Sequence, residues 1–324
     1  ENILNKNISF PVGRVEFIQM HPCTFAEFLG AVGEDISLSI YNEDDIPQYA
    51  HDKMLLLFRR YATIGGMPEI IDNYSKNKDL TSLVSIYNSL ITSYSEDVEK
   101  YARSDSMEKY IRHIINTAFR EAGSKVTFEK FGNSPYRSRE MKEAFLILER
   151  TMLLKLLYPM TSVKLPLVPN LRKKPKLQML DTGLVNYSLG IEEELISEKY
   201  LDDVYRGKIA EHIVGQELLG INHSLDSALD FWVRDKKQSS AEVDFIVQHK
   251  GLLIPVEVKS GPSGKLRSLH QFMDMAPHNW AVRFYSGKYS IEDTKTLEGK
   301  KFKLINLPIY TVGKLNNMLQ RIIE

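Results

Sequence analysis

The sequence has little of several features that mark particular classes of protein. Its 324 residues include a single cysteine, Cys23, which excludes intramolecular disulfide bonds and zinc sites built from several cysteines. No run of about 18 consecutive apolar residues occurs, so no membrane-spanning helix is predicted. The 42 basic and 42 acidic residues leave no formal net charge, and a nucleic-acid site would therefore need local clusters of charge.

The sequence also lacks the pattern of a signal peptide and the phosphate-binding loop of nucleotide-binding proteins. The first residues have neither the basic nor the apolar segment of a signal peptide, and one cysteine in a long chain fits a reducing compartment. We therefore expect a cytoplasmic protein that does not contact the membrane. The phosphate-binding loop G-x-x-x-x-G-K-[ST] is absent, because the glycines at 261–265 are too closely spaced. What remains is an ordinary globular composition, 43% hydrophobic, with a length for two or three domains.

Helical patterns fill the first hundred residues. Thr24 followed by Glu27 is a capping box ahead of a short helix. A second helix is predicted at 51–62, where Gly65 and Pro68 follow as its end signal.

The segment 105–170 has the element order of a winged helix, three helices and then a strand pair. Helices are predicted at 106–121, 126–131 and 137–150, and strands at 153–158 and 163–168. In such folds the third helix can enter the major groove with its first residues on bases and phosphates. Arg137, Arg139 and Lys142 are therefore candidate nucleic-acid-binding residues, although three glutamates on the same helix leave a purely packing role open.

The densest basic run lies between two prolines, at 169 and 175. Arg172, Lys173 and Lys174 form it. A solvated linker and a contact with nucleic-acid phosphates are both open for this run.

The last 150 residues predict the order αβββαβ. Helices are predicted at 205–219 and 265–275, and strands at 231–234, 243–247, 252–258 and 280–285. The polar turn at 250–251 makes the second and third strands a hairpin, so residues near the start of one lie beside residues near the end of the other.

Two acidic residues occupy such positions. Asp244 is near the start of one strand and Glu257 near the end of the next, with Lys259 on the same face as Glu257. Carboxylates so close repel one another unless a cation lies between them, and Mg²⁺ prefers such oxygen ligands. The metal would polarise a phosphate oxygen and acidify a water held by Lys259. Glu211, on the preceding helix, is placed to add a third carboxylate, and Glu242 is a rival ligand.

This pattern resembles the restriction-endonuclease-like superfamily, whose motif is an acidic residue followed by Glu-x-Lys at the end of the next strand. Here the motif stands as Asp244 and then Glu257-Val258-Lys259, and the resemblance implies Glu211 as the helix carboxylate. It implies a Mg²⁺-dependent nuclease acting on nucleic acid. A non-catalytic fold that binds nucleic acid or protein is the alternative, since one fold hosts unrelated functions.

A wider resemblance covers nearly the whole chain. The sequence is similar to a prokaryotic family of AAA-type ATPases that carry a P-loop domain, a lid, a winged helix and a restriction-endonuclease-like domain. The stretches that match are 13–14, 22–28, 65–69, 180–184, 207–218, 242–246 and 254–259.

That resemblance implies an α/β multidomain protein with three parts. Residues 1–104 would be the end of the ATPase domain and its helical lid, 105–170 the winged helix, and 171–324 the restriction-endonuclease-like domain. Since the P-loop is missing, we expect the C-terminal part of a longer ATPase, with ATP bound only in that parent. There Arg14 would reach nucleotide phosphates or support a strand-end carboxylate. DNA and other protein subunits are the expected partners.

Overall fold

The computed structural model describes residues 18–191, 203–222, 229–235, 240–261 and 264–323. These residues form a mixed α/β protein with eleven α-helices and a mixed seven-stranded sheet. The helices are α1 Phe25–Ala31, α2 Asp35–Asn42, α3 His51–Ile64, α4 Pro68–Asn77, α5 Val84–Glu96, α6 Asp105–Ala118, α7 Ser138–Arg150, α8 Thr182–Leu189, α9 Asp203–Gly220, α10 Arg267–Met275 and α11 Leu315–Ile322. The strands are β1 Leu154–Leu157, β2 Pro159–Met160, β3 Lys176–Met179, β4 Asp230–Val233, β5 Glu242–His249, β6 Leu252–Val258, β7 Trp280–Tyr285, β8 Ser290–Lys295 and β9 Lys301–Pro308.

The predicted start of α1 and the predicted end of α3 are confirmed. The Glu27 carboxylate accepts a hydrogen bond from the Thr24 backbone N–H at 2.7 Å, and the Thr24 hydroxyl caps the Glu27 N–H. Helix α3 ends at Gly65, which has φ 77°, a conformation that favours glycine. A Cβ at this position would also collide with the Asp181 carboxylate, so the glycine permits a close approach between distant segments.

Two elements predicted within 105–170 are wrong. Residues 126–130 are not helical, because the Val126 N–H donates to Pro175 O at 2.9 Å and Lys125 bridges to Lys176 in an extended pairing. Residues 163–168 are not a strand, since β1 pairs antiparallel with β3 instead. The flanking helices α6 and α7 are present, and the winged helix itself stays a prediction.

The seven-stranded sheet has the order β2-β4-β5-β6-β7-β9-β8. Strands β4, β5 and β6 pair antiparallel, whereas β6, β7 and β9 run parallel. Helix α9 precedes β4, and α10 connects β6 with the parallel strand β7, as a parallel crossover requires. The elements therefore follow one another in the predicted αβββαβ order.

One group of contacting buried apolar side chains extends from Phe25 to Ile323 and takes members from all three predicted segments. A smaller group lies under α10, around Trp232 and Phe272. The predicted domain boundaries stay predictions. Among the described residues, no helix combines the length and apolar character needed to cross a membrane.

Buried polar side chains join the N-terminal helices to α8 and α9. Asp181 accepts hydrogen bonds from Gly66 N–H at 2.6 Å and from Leu184 N–H at 3.0 Å, and so caps α8. Glu217 Oε1 accepts from the Tyr61 hydroxyl and from Phe25 N–H, both at 2.8 Å. We call Tyr61, Asp181, Gln216 and Glu217 the junction cluster.

Candidate functional site

Asp244 and Glu257 face each other across β5 and β6. Phe245 is paired with Val256 in the antiparallel register, and one further step places Asp244 opposite Glu257 with both side chains on one face. Asp244 Oδ2 accepts a hydrogen bond from Val258 N–H at 2.8 Å. The two carboxylates are nearly buried, with 7% and 5% of each residue exposed.

Lys259 contacts one oxygen of Glu257. Its Nζ lies 2.7 Å from Glu257 Oε1, whereas Glu257 Oε2 is buried and finds no hydrogen-bond partner in the described part of the chain. Burial raises the pKa of Glu257, the nearby Asp244 charge raises it further, and Lys259 offsets only part of this effect. Burial acts to lower the pKa of Lys259, but the Glu257, Asp244 and Glu211 carboxylates together outweigh it and that pKa is raised.

Glu211 belongs to the same group of charges. Helix α9, which carries it, packs on β3 and β6. Burial and the Asp244 charge raise the pKa of Glu211, and Lys176, with Nζ 3.4 Å from Glu211 Oε2, acts in the opposite direction. Burial likewise raises the pKa of Asp244. We call Asp244, Glu257, Glu211, Lys176 and Lys259 the carboxylate cluster.

Lys176 is the member that sequence reasoning missed. Its Nζ lies 2.6 Å from Glu242 Oε1 and 5.0 Å from the centre of the Phe231 ring, and the residue is only 7% exposed. Lys125 also forms an ion pair with Glu242. Burial acts to raise the pKa of Glu242, but these two lysines outweigh it, and the pKa is lowered. Glu242, the rival metal ligand, is therefore already paired with two lysine ammonium groups.

One signal in the sequence pointed to Lys176. It directly precedes the apolar run at 177–180, which predicts a buried strand. A lysine beginning such a strand needs a buried acidic partner, since unpaired charges are rarely buried.

The chemistry of the cluster fits a hard cation. Its acceptors are carboxylate oxygens, and Glu257 Oε2 has no hydrogen-bond partner among the described residues. Within the described ranges, no group of three or more His, Cys, Asp or Glu side chains could hold a metal ion, so Glu211 does not complete a three-carboxylate site with Asp244 and Glu257. Mg²⁺ is usually held by one or two carboxylates together with substrate phosphates, so Asp244 and Glu257 are the residues that would hold it.

The predicted nucleic-acid-binding residues lie in two places. Arg172 and Lys174 are exposed, and the half-buried Lys173 forms an ion pair with Asp235 at 3.0 Å, beyond the end of β4. This run therefore leads into β3 and Lys176. The other three, Arg137, Arg139 and Lys142, are exposed at the start of α7.

Helix α7 packs on β1, whereas α9, which carries Glu211, packs on β3 of the same two-stranded ribbon. Arg14 lies outside the described residues.

Comparison with known proteins gives two family matches. Residues 55–195 match a domain of unknown function (DUF8612), and residues 206–310 match another domain of unknown function (DUF4143). No curated protein and no solved structure matches the chain. The second match includes Glu211, Asp244, Glu257 and Lys259, but not Lys176. It is to a domain typically found C-terminal to AAA ATPase domains.

Proposed function

We propose that this chain carries a Mg²⁺-dependent phosphodiester hydrolase site for nucleic acid, in the C-terminal part of an AAA-type ATPase. The observation that carries the proposal is the pair Asp244 and Glu257, opposite one another on adjacent strands, with one Glu257 oxygen buried and unpartnered. Buried like charges of this kind are unfavourable without a cation. A bound Mg²⁺ would supply Lewis-acid activation of a phosphate oxygen and acidify water.

The chain's own residues have distinct roles in this proposal. Asp244 would bind through Oδ1, because its Oδ2 is fixed by Val258 N–H. Glu257 would bind through the free Oε2 while Lys259 holds Oε1. The Lys259 ammonium would stay protonated, since its pKa is raised, and would orient the attacking water or stabilise negative charge developing on the phosphate. Glu211 would assist as the helix carboxylate.

Fold and family context support the same proposal. The αβββαβ order of α9, β4, β5, β6, α10 and β7, with Asp244 and Glu257 on the central hairpin, is the arrangement expected of a restriction-endonuclease-like domain. The match to a domain that typically follows AAA ATPase domains supports a longer parent that binds ATP.

Local charge supports a nucleic-acid substrate. Arg172 and Lys174 are exposed just before β3, whose first residue is Lys176 of the carboxylate cluster. If a nucleic-acid backbone lies along this run, the basic side chains would neutralise its phosphates and the backbone would approach the carboxylates. Arg137, Arg139 and Lys142 on α7 would extend the contact.

Metal titration and a cleavage assay together test the proposal. Wild type should bind Mg²⁺ or Mn²⁺ in calorimetry and cut single- or double-stranded nucleic acid, and Asp244→Asn and Glu257→Gln should lose both properties. Asp293→Asn is the matched control, since Asp293 is an exposed carboxylate on β8 of the same sheet. Intact substrate in the presence of metal, with the fold verified by circular dichroism, would refute catalysis.

A second function is favoured by Lys176. Its ammonium group already forms an ion pair with Glu242 and approaches Glu211, as a fold that binds its partner without a metal ion would require. On this alternative the chain binds nucleic acid or a partner protein without metal, under control of the parent's ATPase. Nucleic-acid binding that persists in chelator and in Asp244→Asn, with no cleavage, would identify this function.

A further inference from the structure

The loop between β2 and β3 exposes large apolar side chains close to basic ones. Leu165 is 41% exposed, Val168 65% and Leu171 67%. Exposed apolar side chains that are grouped in one segment mark an interaction site more often than single ones do. Residues 161–175, which we call the apolar loop, are therefore a candidate interaction surface.

The apolar loop is anchored to the rest of the protein. Val163 and Leu167 pack against the smaller buried group under α10. Asn170 is hydrogen-bonded twice, because its N–H donates to Pro159 O at 2.8 Å and its side-chain oxygen accepts from the Arg172 N–H at 3.1 Å. The exposed side chains between these anchors lie on a backbone that is already positioned, so little ordering is needed when a partner binds.

The charge of the loop indicates an anionic partner. Residues 161–176 contain no aspartate or glutamate, and Lys164, Arg172 and Lys174 are exposed. Two copies of such a surface would repel each other, so a second copy of this chain does not fit it. The partner that does fit carries negative charge on both sides of an apolar contact.

The residue types of the loop select among anionic partners. Proteins that bind single strands stack the bases on aromatic rings, and residues 161–176 contain no aromatic residue. Membrane interfaces likewise favour Trp and Tyr. Aliphatic side chains and proline are the groups that proteins insert between base steps in the minor groove, with arginine and lysine beside them. The composition of the loop therefore favours duplex DNA.

We propose that the apolar loop binds duplex DNA by inserting Val168 and Leu171 into the minor groove and unstacking one base step. Arg172 and Lys174 bind the flanking phosphates. This inference rests on the nucleic-acid partner of the proposed function but not on its metal site. The loop leads directly into Lys176 of the carboxylate cluster, so unstacking would bring a distorted strand, rather than a regular duplex, towards carboxylates that are nearly buried.

Fluorescence measurements in EDTA test the insertion without any cleavage. The probe is a short DNA duplex with 2-aminopurine at a central TA step, which deforms easily. Wild type should bind it in anisotropy measurements and raise the 2-aminopurine emission, which reports unstacking. Val168→Ser and Leu171→Ser should each weaken binding about fivefold and reduce this rise, because less apolar surface leaves water. Leu297→Ser, in the exposed turn between β8 and β9, is the matched control and should behave as wild type.

Salt dependence tests the phosphate contacts separately. The double variant Arg172→Gln/Lys174→Gln should reduce the slope of log K against log salt concentration by about 2, whereas the serine variants should leave that slope unchanged. Lys295→Gln, at an exposed site on β8, is the matched control for charge. Asp244→Asn should bind and unstack the duplex as wild type does, even if it abolishes cleavage.

Three results would overturn the proposal. The first is binding of the duplex with no change in emission and with Val168→Ser and Leu171→Ser as tight as Leu297→Ser; Mg²⁺-dependent cleavage would then still support the hydrolase. The second is tighter binding of the matching single strand than of the duplex. The third is binding of vesicles of phosphatidylserine and phosphatidylcholine, lost in Leu171→Ser, without binding of the duplex, which would assign the loop to a membrane surface.

Discussion

Two buried groups of carboxylates in this protein are stabilised in different ways. In the junction cluster, Asp181 accepts from two backbone N–H groups and from the Gln216 amide, and Glu217 Oε1 accepts from a hydroxyl and a backbone N–H. In the carboxylate cluster, the main partners are the ammonium groups of Lys176 and Lys259. The junction cluster is held by neutral, directional donors, whereas the carboxylate cluster is held by one backbone donor, Val258 N–H, and by lysine ammonium groups.

We interpret this difference as one between a structural role and the proposed metal-binding role. Backbone donors cannot move without changing the fold, so the junction cluster fixes how α3, α8 and α9 meet. One carboxylate oxygen in each cluster, Glu217 Oε2 and Glu257 Oε2, is buried without a hydrogen-bond partner among the described residues, so the lysine partners, and not the unpartnered oxygen, distinguish the two clusters. In the proposed function, a carboxylate of the second cluster would exchange its lysine for a metal ion.

The strongest test of this contrast is Asp181→Ala. It leaves the Gly66 and Leu184 N–H groups without this acceptor and removes one of the two acceptors of the Gln216 amide, and each buried donor left unpaired costs about 1–3 kcal/mol. Because removing a buried charge offsets part of this, we expect the free energy of unfolding to fall by about 3–5 kcal/mol, measured by urea denaturation. Metal binding by any folded fraction should be unchanged. Asp293→Ala, at an exposed site, should stay within about 0.5 kcal/mol of wild type.

A loss below about 1 kcal/mol in Asp181→Ala would contradict the structural role, because such a value is typical of an exposed site rather than of a buried acceptor for two backbone N–H groups.

Glu217→Gln tests the junction cluster through pH. Burial raises the pKa of Glu217 from 4.5 to about 7. Since the folded-state value lies above the unfolded one, its stabilisation is present below about pH 4 and is lost as the pH rises through 7. Glutamine keeps the Oε1 acceptor and does not titrate. The variant should therefore gain on wild type by roughly 3 kcal/mol between pH 4.5 and pH 8, at about 1.4 kcal/mol per pKa unit.

The quantity to measure is the difference in the free energy of unfolding between wild type and Glu217→Gln at each pH. Burial lowers the pKa of His212 to about 3, so its neutral form stabilises the fold above the ordinary histidine pKa, and this contribution is lost as the pH falls towards 3. That contribution opposes the trend of Glu217 but cancels in the difference. A difference that does not change with pH would show that Glu217 is ionised in the fold throughout.

Strands β4 to β7 of the C-terminal sheet were predictable because their signals are local, whereas β8 and β9 were not predicted. Strand β6 and strand β7 match their predicted bounds, and Asp244 and Glu257 follow from a hairpin with a two-residue turn. The elements that were wrong depend on distant pairing. Residues 123–126 hydrogen-bond to 175–177, about fifty positions away, and no local pattern specifies that partner.

The same distinction applies to the sites. Glu257 and Lys259 could be found from their spacing in one strand, whereas Lys176 joins them only because β3 packs beside α9. The junction cluster likewise links residues 61, 181 and 217, which only the fold brings together.

Lys176→Met tests the role of the lysine in the carboxylate cluster. Methionine retains the apolar stem over Phe231 but leaves Glu242 and Glu211 without this partner. Without metal, we expect a loss of about 2 kcal/mol in the free energy of unfolding. Mg²⁺ should stabilise this variant more than wild type, because the cation no longer competes with the ammonium group. The control Lys173→Met removes a half-exposed ion pair with Asp235 and should cost less than about 1 kcal/mol.

The Glu257→Gln variant tests the carboxylate cluster directly, and the sign of its effect is the informative part. The raised pKa of Glu257 means that the charged form opposes folding at high pH, so a neutral amide should stabilise the metal-free protein at pH 8, and should stabilise it less at pH 5. Wild type should recover the difference when Mg²⁺ is added, because binding to the folded state stabilises it, and the variant should not. If both proteins responded equally to Mg²⁺ in thermal unfolding, Glu257 would not be a ligand, and the carboxylate cluster would be structural in the same sense as the junction cluster.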